Sequence, residues 1–207
     1  MRARFIVFEG VEGSGKTTQA RLLAAALERA GEDVVLTREP GGTVAGERLR
    51  EVLLGTQLDL TPLTEMLIFC AARAQHVSEV IRPALHAGKV VISDRFELST
   101  IVYQGYAGGI GMEVACRVNE IATGGLHPDV TIILDLDPKR GLERNRRDAD
   151  PDRMEKKTAR FHALVREGYL LWAREHPDNC LLLDATQPVD VIHQQVLHYL
   201  QIEDKCQ

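Results

Sequence analysis

Short apolar runs alternate along the chain with longer stretches in which apolar residues return every three or four positions, and this alternation predicts a repeated strand-helix unit. Phe5-Ile6-Val7-Phe8 is the first run; it ends in Glu9-Gly10, and after a glycine-rich turn the segment Lys16 to Ala30 has helical periodicity. Val34-Val35-Leu36 predicts a second strand, and Gly46 to Leu54 a short helix with Leu49, Val52 and Leu53 on one face. Thr61-Pro62, with Glu65 close behind, has the cap and first-turn proline of a longer helix. That helix is expected to run to about His86, with Pro83 kinking or ending it. Three more runs, Lys89 to Asp94, Val130 to Asp135 and Cys180 to Asp184, each close on an aspartate. Five apolar strands separated by helices predict an α/β fold in three layers, a five-stranded parallel sheet with helices on both faces, since every parallel crossover needs a connecting helix.

With 207 residues, 44% hydrophobic and 27% charged, the chain is long enough for one sizeable core, and residues 1–207 are expected to form a single domain. No stretch approaches the roughly 18 apolar residues of a membrane-spanning helix, and Met1 to Phe5 runs into a strand pattern rather than a signal peptide, so a cytoplasmic protein with no membrane partner is expected. A net charge of −5 argues against nucleic acid as a partner, because backbone phosphates are held by basic surfaces. Cys70, Cys116, Cys180 and Cys206 are widely spaced, which suits reduced thiols and neither a zinc nor a disulfide framework. The seven histidines are dispersed, and no covalent phosphoenzyme is expected.

Gly10-Val11-Glu12-Gly13-Ser14-Gly15-Lys16-Thr17 fits GxxxxGK[ST] after a strand and at the start of a helix, with Thr18 next in that helix. The glycines let successive backbone N–H groups face phosphates, Lys16 reaches the β and γ oxygens, and Thr17 ligates magnesium; the helix N-terminus adds positive charge. A glycine-rich turn can also be only a turn, but Lys-Thr at its end has no packing reason to be there. The expectation is a P-loop NTPase fold that binds ATP with Mg2+. A guanine-specific switch would carry an NKxD-like signature, which is absent, whereas a small kinase needs arginines for a second, acceptor phosphate.

Ser93-Asp94-Arg95-Phe96 closes a strand at the sheet edge where open α/β folds place ligands. Asp94 can hold metal-bound water and Arg95 an acceptor phosphate; a mutual salt bridge ending the strand is the alternative. Together with Phe8-Glu9-Gly10, Thr37-Arg38-Glu39-Pro40-Gly41-Gly42-Thr43, Phe69-Cys70-Ala71-Ala72-Arg73, Ser99-Thr100 and Tyr103-Gln104-Gly105, in this order, the sequence resembles the thymidylate kinase family over nearly its whole length.

The resemblance implies ATP and dTMP as substrates, dTDP as product and direct in-line transfer. It implies that Phe69 stacks on thymine, that Arg73 reaches a base carbonyl, that Thr100 and Gln104 read the base, and that Tyr103 packs on the sugar. From the residues alone, Phe69 reads as core. Arg38 and Arg95 would bind the acceptor phosphate, with Glu9 as the acid beside the phosphate loop; strand-end solvation is the alternative for Glu9 and Arg38. The Gly41-Gly42 pair would let backbone approach a ligand, or form a simple turn.

Residues 140–160 are dense in charge, and the resemblance implies a lid over ATP at about 140–155. The resemblance implies a catalytic arginine either in the phosphate loop or on the lid; since the loop interior Val11-Glu12-Gly13-Ser14 has no basic residue, it implies a lid arginine, Arg147 first and Arg153 second, with Arg144 along the adenine face and Asp184-Ala185-Thr186 beside it. A solvated charged helix is the alternative, and Asp148, Asp150 and Asp152 would pair with the arginines when the lid is open. The family also implies a homodimer through the helices around Leu63 to Leu85 and Met112 to Ile121. A kinase for another nucleoside monophosphate, or a non-catalytic ATP-gated binding protein, would share the loop and differ at the acceptor residues or in turnover.

Overall fold

The computed structural model describes residues 4–55, 57–145 and 152–202. Strands β1 (Phe5–Gly10), β2 (Val34–Arg38), β3 (Val90–Asp94), β4 (Val130–Asp135) and β5 (Cys180–Asp184) form one parallel sheet in the order β2-β3-β1-β4-β5. The helices are α1 (Lys16–Arg29), α2 (Val44–Leu54), α3 (Pro62–His76), α4 (Arg82–His86), α5 (Glu97–Thr100), α6 (Met112–Thr123), α7 (Pro138–Asn145), α8 (Ala159–Glu175) and α9 (Val189–Leu200).

The central strands explain both covered faces. In β1 the alternate residues Ile6 and Phe8 belong to a large apolar cluster with Leu23 and Leu27 of α1, while Phe5 and Val7 pack in a second cluster with Val77, Ile81 and Ala84. Edge strands are wetter: Leu36 in β2 and Leu182 in β5 are exposed, as a strand with one neighbour allows.

Most expected elements are present, with three differences. Strand β2 extends two residues beyond Leu36, which brings Arg38 into register opposite Asp94 at the carboxyl edge of the sheet. Of the expected face Leu49, Val52 and Leu53 in α2 only Leu53 is fully buried; Val52 is exposed, so the apolar face is narrower than its periodicity suggests. Pro83 does not end its helix, which runs on to His86. A π-helical stretch, Val77–Ile81, joins α3 to α4, and the Arg82 N–H bonds to the Val77 carbonyl five residues back. Wider turns there move the carbonyl four residues behind Pro83 out of the way of its ring, and the missing N–H falls in the first turn of α4.

Candidate active site

The strand order places the ends of β1 and β3 side by side, with Phe8 opposite Asp94, so the loop after Gly10 opens beside Asp94. Loop geometry depends on its glycines. Gly10 has φ 139°, and a Cβ there would lie 2.5 Å from the Leu134 carbonyl oxygen; Gly13 has φ 68°, and a Cβ would collide with the Gly141 carbonyl. Gly15 precedes the first turn of α1 with φ 95°. This is a wound phosphate loop and not a simple strand-to-helix turn.

A cavity of about 540 Å³ opens at this edge. Glu12, Gly13, Gly15, Lys16, Thr17 and Thr18 line it from the loop and α1. Lys16 is buried and folded back, its Nζ donating to the Val11 carbonyl at 2.8 Å and the Gly10 carbonyl at 3.2 Å. Burial, with Arg95 nearby, depresses its pKa to about 8 despite the opposing pull of Asp94, Glu12 and Glu9. The Thr17 hydroxyl donates to the Asp94 carboxylate, and both face the cavity. A hydroxyl and a carboxylate in contact are the hard oxygen donors a magnesium ion takes when phosphates and water complete its shell, so the residues fit that ion. Among the described residues, no group of three or more His, Cys, Asp or Glu side chains could hold a metal without such help.

Asp94 and Arg95 do not pair with each other. Arg95 sits at φ 73° and points its guanidinium at Glu12, with Nη2 3.2 Å from Oε1, while Nη1 donates to the Ser99 hydroxyl at 3.0 Å. The Tyr103 hydroxyl donates to the same Glu12 carboxylate at 2.7 Å, and the Tyr103 ring lies under the Arg95 guanidinium at 5.3 Å. Burial pushes the Glu12 carboxyl up, but Arg95, Lys16 and Tyr103 outweigh it and hold it below the ordinary range. Arg38 also lines the cavity, its Nη2 donating to both Glu47 oxygens at 3.0 Å. Phe69, Thr100, Tyr103 and Gln104 line the same space, so Phe69 is not a core residue.

Gly10, Val11 and Ser14 form the loop behind the cavity lining, and three expected charged residues sit elsewhere. Glu9 is fully buried and does not line this cavity: its carboxylate accepts from the Phe96 and Ser99 N–H groups and from the Ser99 and Tyr169 hydroxyls. Burial dominates these contacts and raises its pKa, so Glu9 acts as a brace between β1 and α5. Arg73 lies beneath the cavity wall, 1% exposed, donating to Glu39 at 2.8 Å, the Phe96 carbonyl at 2.9 Å and the Thr100 hydroxyl at 3.0 Å. It therefore touches the cavity through Thr100. Arg153 donates to the Leu53 carbonyl at 2.9 Å and pairs with Glu65, so in this conformation it clasps α2 to α3 and does not face the phosphate loop. Asp152 caps the turn that follows it, accepting from the Met154 and Glu155 N–H groups.

Arg144 lines the cavity, with Nη1 3.5 Å from the Gly13 carbonyl and 3.4 Å from the Ala185 carbonyl, joining the phosphate loop to the segment after β5. Arg147, Asp148 and Asp150 lie outside the described residues. Gly41 and Gly42 both have positive φ, 138° and 77°, and a Cβ at either would crowd Glu47, Arg38 or His76.

Sequence reasoning missed the buried chain behind Arg73. Glu39 accepts from Arg73 and meets His76 Nδ1 at 2.9 Å, and His76 Nε2 is 2.7 Å from the Thr37 hydroxyl. Arg50, which donates to the Pro40 carbonyl at 2.9 Å and lines the cavity, was also missed. A histidine one helical turn after Arg73 carries a weak local hint; Arg50 carries none.

Residues 8–196 match the family described as thymidylate kinase. The chain is 47% identical over 197 residues to a thymidylate kinase of Caldanaerobacter subterraneus subsp. tengcongensis, covering 95% of this chain and 94% of that one. It is 46% identical over 192 residues to a thymidylate kinase of Deinococcus radiodurans, covering 93% of each. Among solved structures, a thymidylate kinase from Ehrlichia chaffeensis superposes with a TM-score of 0.78 at 38% identity, covering 95% of this chain and 97% of that one.

Proposed function

This chain belongs to the thymidylate kinase family, and from that premise we infer how its cavity is used. The chain catalyses the ATP-dependent phosphorylation of dTMP to dTDP, a step of deoxythymidine nucleotide biosynthesis. The observation that carries the assignment of roles is that one cavity collects the phosphate-loop residues Lys16 and Thr17, the two arginines Arg38 and Arg95, and the Phe69, Thr100, Tyr103 and Gln104 side chains.

The N–H groups of the loop from Gly10 to Thr17, with Thr18, receive the ATP phosphates, and Lys16 turns from the Val11 and Gly10 carbonyls to meet them. Arg38 and Arg95 hold the acceptor phosphate. Both arginines are already paired with carboxylates, Arg95 largely buried and Arg38 half-exposed, so a phosphate exchanges one anionic partner for another. An oxygen of the dTMP phosphate bonds to the γ-phosphorus as the bond to the β,γ-bridging oxygen breaks, which leaves ADP and no phosphoenzyme. Thr17 and Asp94 would hold Mg2+, directly or through water, and the ion would neutralise charge on the phosphate oxygens. Phe69 covers one face of thymine, and Tyr103 packs beside Glu12 where a sugar would follow.

The chain acts as one domain, with a lid at about 140–155. Arg144, at the rim of the phosphate loop, would lie along adenine or meet the migrating phosphoryl. Among the described residues no helix is long and apolar enough to cross a membrane, and a cytoplasmic location suits both nucleotides.

Coupled ADP release with Mg2+-ATP, offered each common nucleoside monophosphate in turn, tests this function. Turnover should favour dTMP and collapse when EDTA strips the metal; equal turnover of purine monophosphates would sink the base assignment. A homodimer is also proposed. Leu67 on α3 and Ile121 on α6, 52% and 83% exposed, lie on two helices that pack together and would leave an apolar face in water. Sedimentation should return twice the 23.0 kDa of one chain, and Ile121→Lys should halve it. A monomeric parent protein would exclude that interface.

A further inference from the structure

Glu65 is 2% exposed in α3, does not line the cavity, and joins two parts of the molecule that have no sequence relation. Its Oε2 accepts from Gln104 Nε2 at 3.1 Å. Its Oε1 takes two cations of the stretch Asp152 to Lys157: Arg153 Nη1, and Lys157 Nζ at 2.8 Å. Burial pushes this carboxyl up, but hydrogen bonds from Lys157, Arg153 and Gln104 outweigh it and hold it below its ordinary value. An ionised carboxylate only accepts hydrogen bonds, so the Gln104 amide has to present its NH2 to Glu65, and its carbonyl oxygen is the end left for the cavity. The reverse amide would set oxygen against oxygen in a buried place.

The neighbouring Thr100 hydroxyl is polarised the opposite way. Arg73 Nη1 donates to it at 3.0 Å, and a guanidinium cannot accept, so the hydroxyl proton is free to donate into the cavity. Thr100 and Gln104 thus offer one donor and one acceptor beside Phe69. That pair matches the N3–H and O4 of thymine. It opposes cytosine, whose N3 accepts and whose exocyclic amine donates.

We propose that Glu65 is a specificity-determining, positioning residue: it fixes the polarity of Gln104 so that the site takes a pyrimidine with a protonated N3 and rejects one without, and Arg153 and Lys157 keep it acceptor-only. The proposal rests on the assignment of Gln104 and Thr100 to the base, and it goes further by locating discrimination one shell behind the contact. A polar group forced to face its like in a desolvated site rejects that ligand by factors far beyond what a missing methyl supplies.

Initial-rate kcat/KM for dTMP and dCMP should be measured on the full chain and on Glu65→Gln, Gln104→Ala and the double variant. Glutamine at 65 can donate or accept, which frees the Gln104 amide to turn over. The dTMP:dCMP ratio should fall about tenfold in Glu65→Gln, through KM more than kcat, and change less than about twofold when Gln104 is already alanine. An unchanged ratio in Glu65→Gln, or an equal fall in the Gln104→Ala background, overturns the proposal while leaving the kinase reading intact. Parent protein that does not prefer dTMP to dCMP overturns both. Should Glu65→Gln fail to fold, the side-chain NH2 resonance of Gln104 in the parent protein, identified by its loss in Gln104→Ala, gives the same decision. It should remain protected from hydrogen exchange and shift little on adding dTMP; an NH2 that moves onto the base overturns the proposal.

Discussion

Replacing Arg95 with alanine is expected to lower dTMP-dependent ADP release about 10³-fold, the scale of removing a preorganised charged donor to the reacting phosphates. Arg95 is where several local constraints meet. Its backbone is left-handed at φ 73°, which turns the side chain from the end of β3 back across the cavity, and its guanidinium bridges Glu12, Ser99, Tyr103 and Tyr169. Removing it takes a phosphate ligand away and also strips Glu12 of the strongest influence holding that carboxylate ionised. An unbalanced carboxylate would then face the incoming dTMP phosphate. The loss should therefore appear in kcat and in KM for dTMP, with KM for ATP little changed. Arg95→Lys should recover only a small part, because an ammonium cannot reproduce a planar fork that bonds two groups at once. Steady-state kinetics of both variants decide the matter, and an Arg95→Ala enzyme within tenfold of the parent would remove this residue from the acceptor site.

Lys16→Met should cost about 10²–10³ in kcat without lowering thermal stability, because the charge it removes is desolvated in the folded protein. The same side chain gives the protein a proton signature. Lys16 titrates near 8 when folded against an ordinary 10.5, so between those values the unfolded chain binds more protons than the folded one. Its contribution therefore makes stability rise with pH across that window, and below about pH 8 burial of its charge is a standing cost. ATP reverses the shift, since phosphate anions favour the charged amine. Calorimetry at pH 8 in buffers of different ionisation enthalpy should detect proton uptake on ATP binding, and Lys16→Met should abolish it. Binding heats independent of buffer would contradict the folded-back, neutralisable lysine seen here.

These two residues mark the limits of what could be read without coordinates. The phosphate loop was legible because its chemistry is local: eight consecutive residues contain the glycines, the lysine and the hydroxyl, and no distant partner is needed to wind them. The strands and most helices were legible for the same reason, since side-chain periodicity follows from backbone geometry. Phe69, Thr100, Tyr103 and Gln104 line one cavity, a grouping to which only the family resemblance pointed; spacing alone would have put Phe69 in the core.

The sequence by itself determined the α/β class, the five strands and the identity of the donor-phosphate loop, each a property of neighbouring residues. Tertiary structure alone decided what the charged side chains do. Glu9, Arg73 and Arg153 look like cavity residues in a motif, yet each finds partners more than twenty residues away that hold it outside the cavity. A buried charge is stable only where enough hydrogen-bonding partners converge on it, and that convergence depends on strand order and on the approach of helices distant in the chain. Glu65 shows it most plainly: nothing near it in sequence reveals that Gln104, Arg153 and Lys157 meet on one carboxylate.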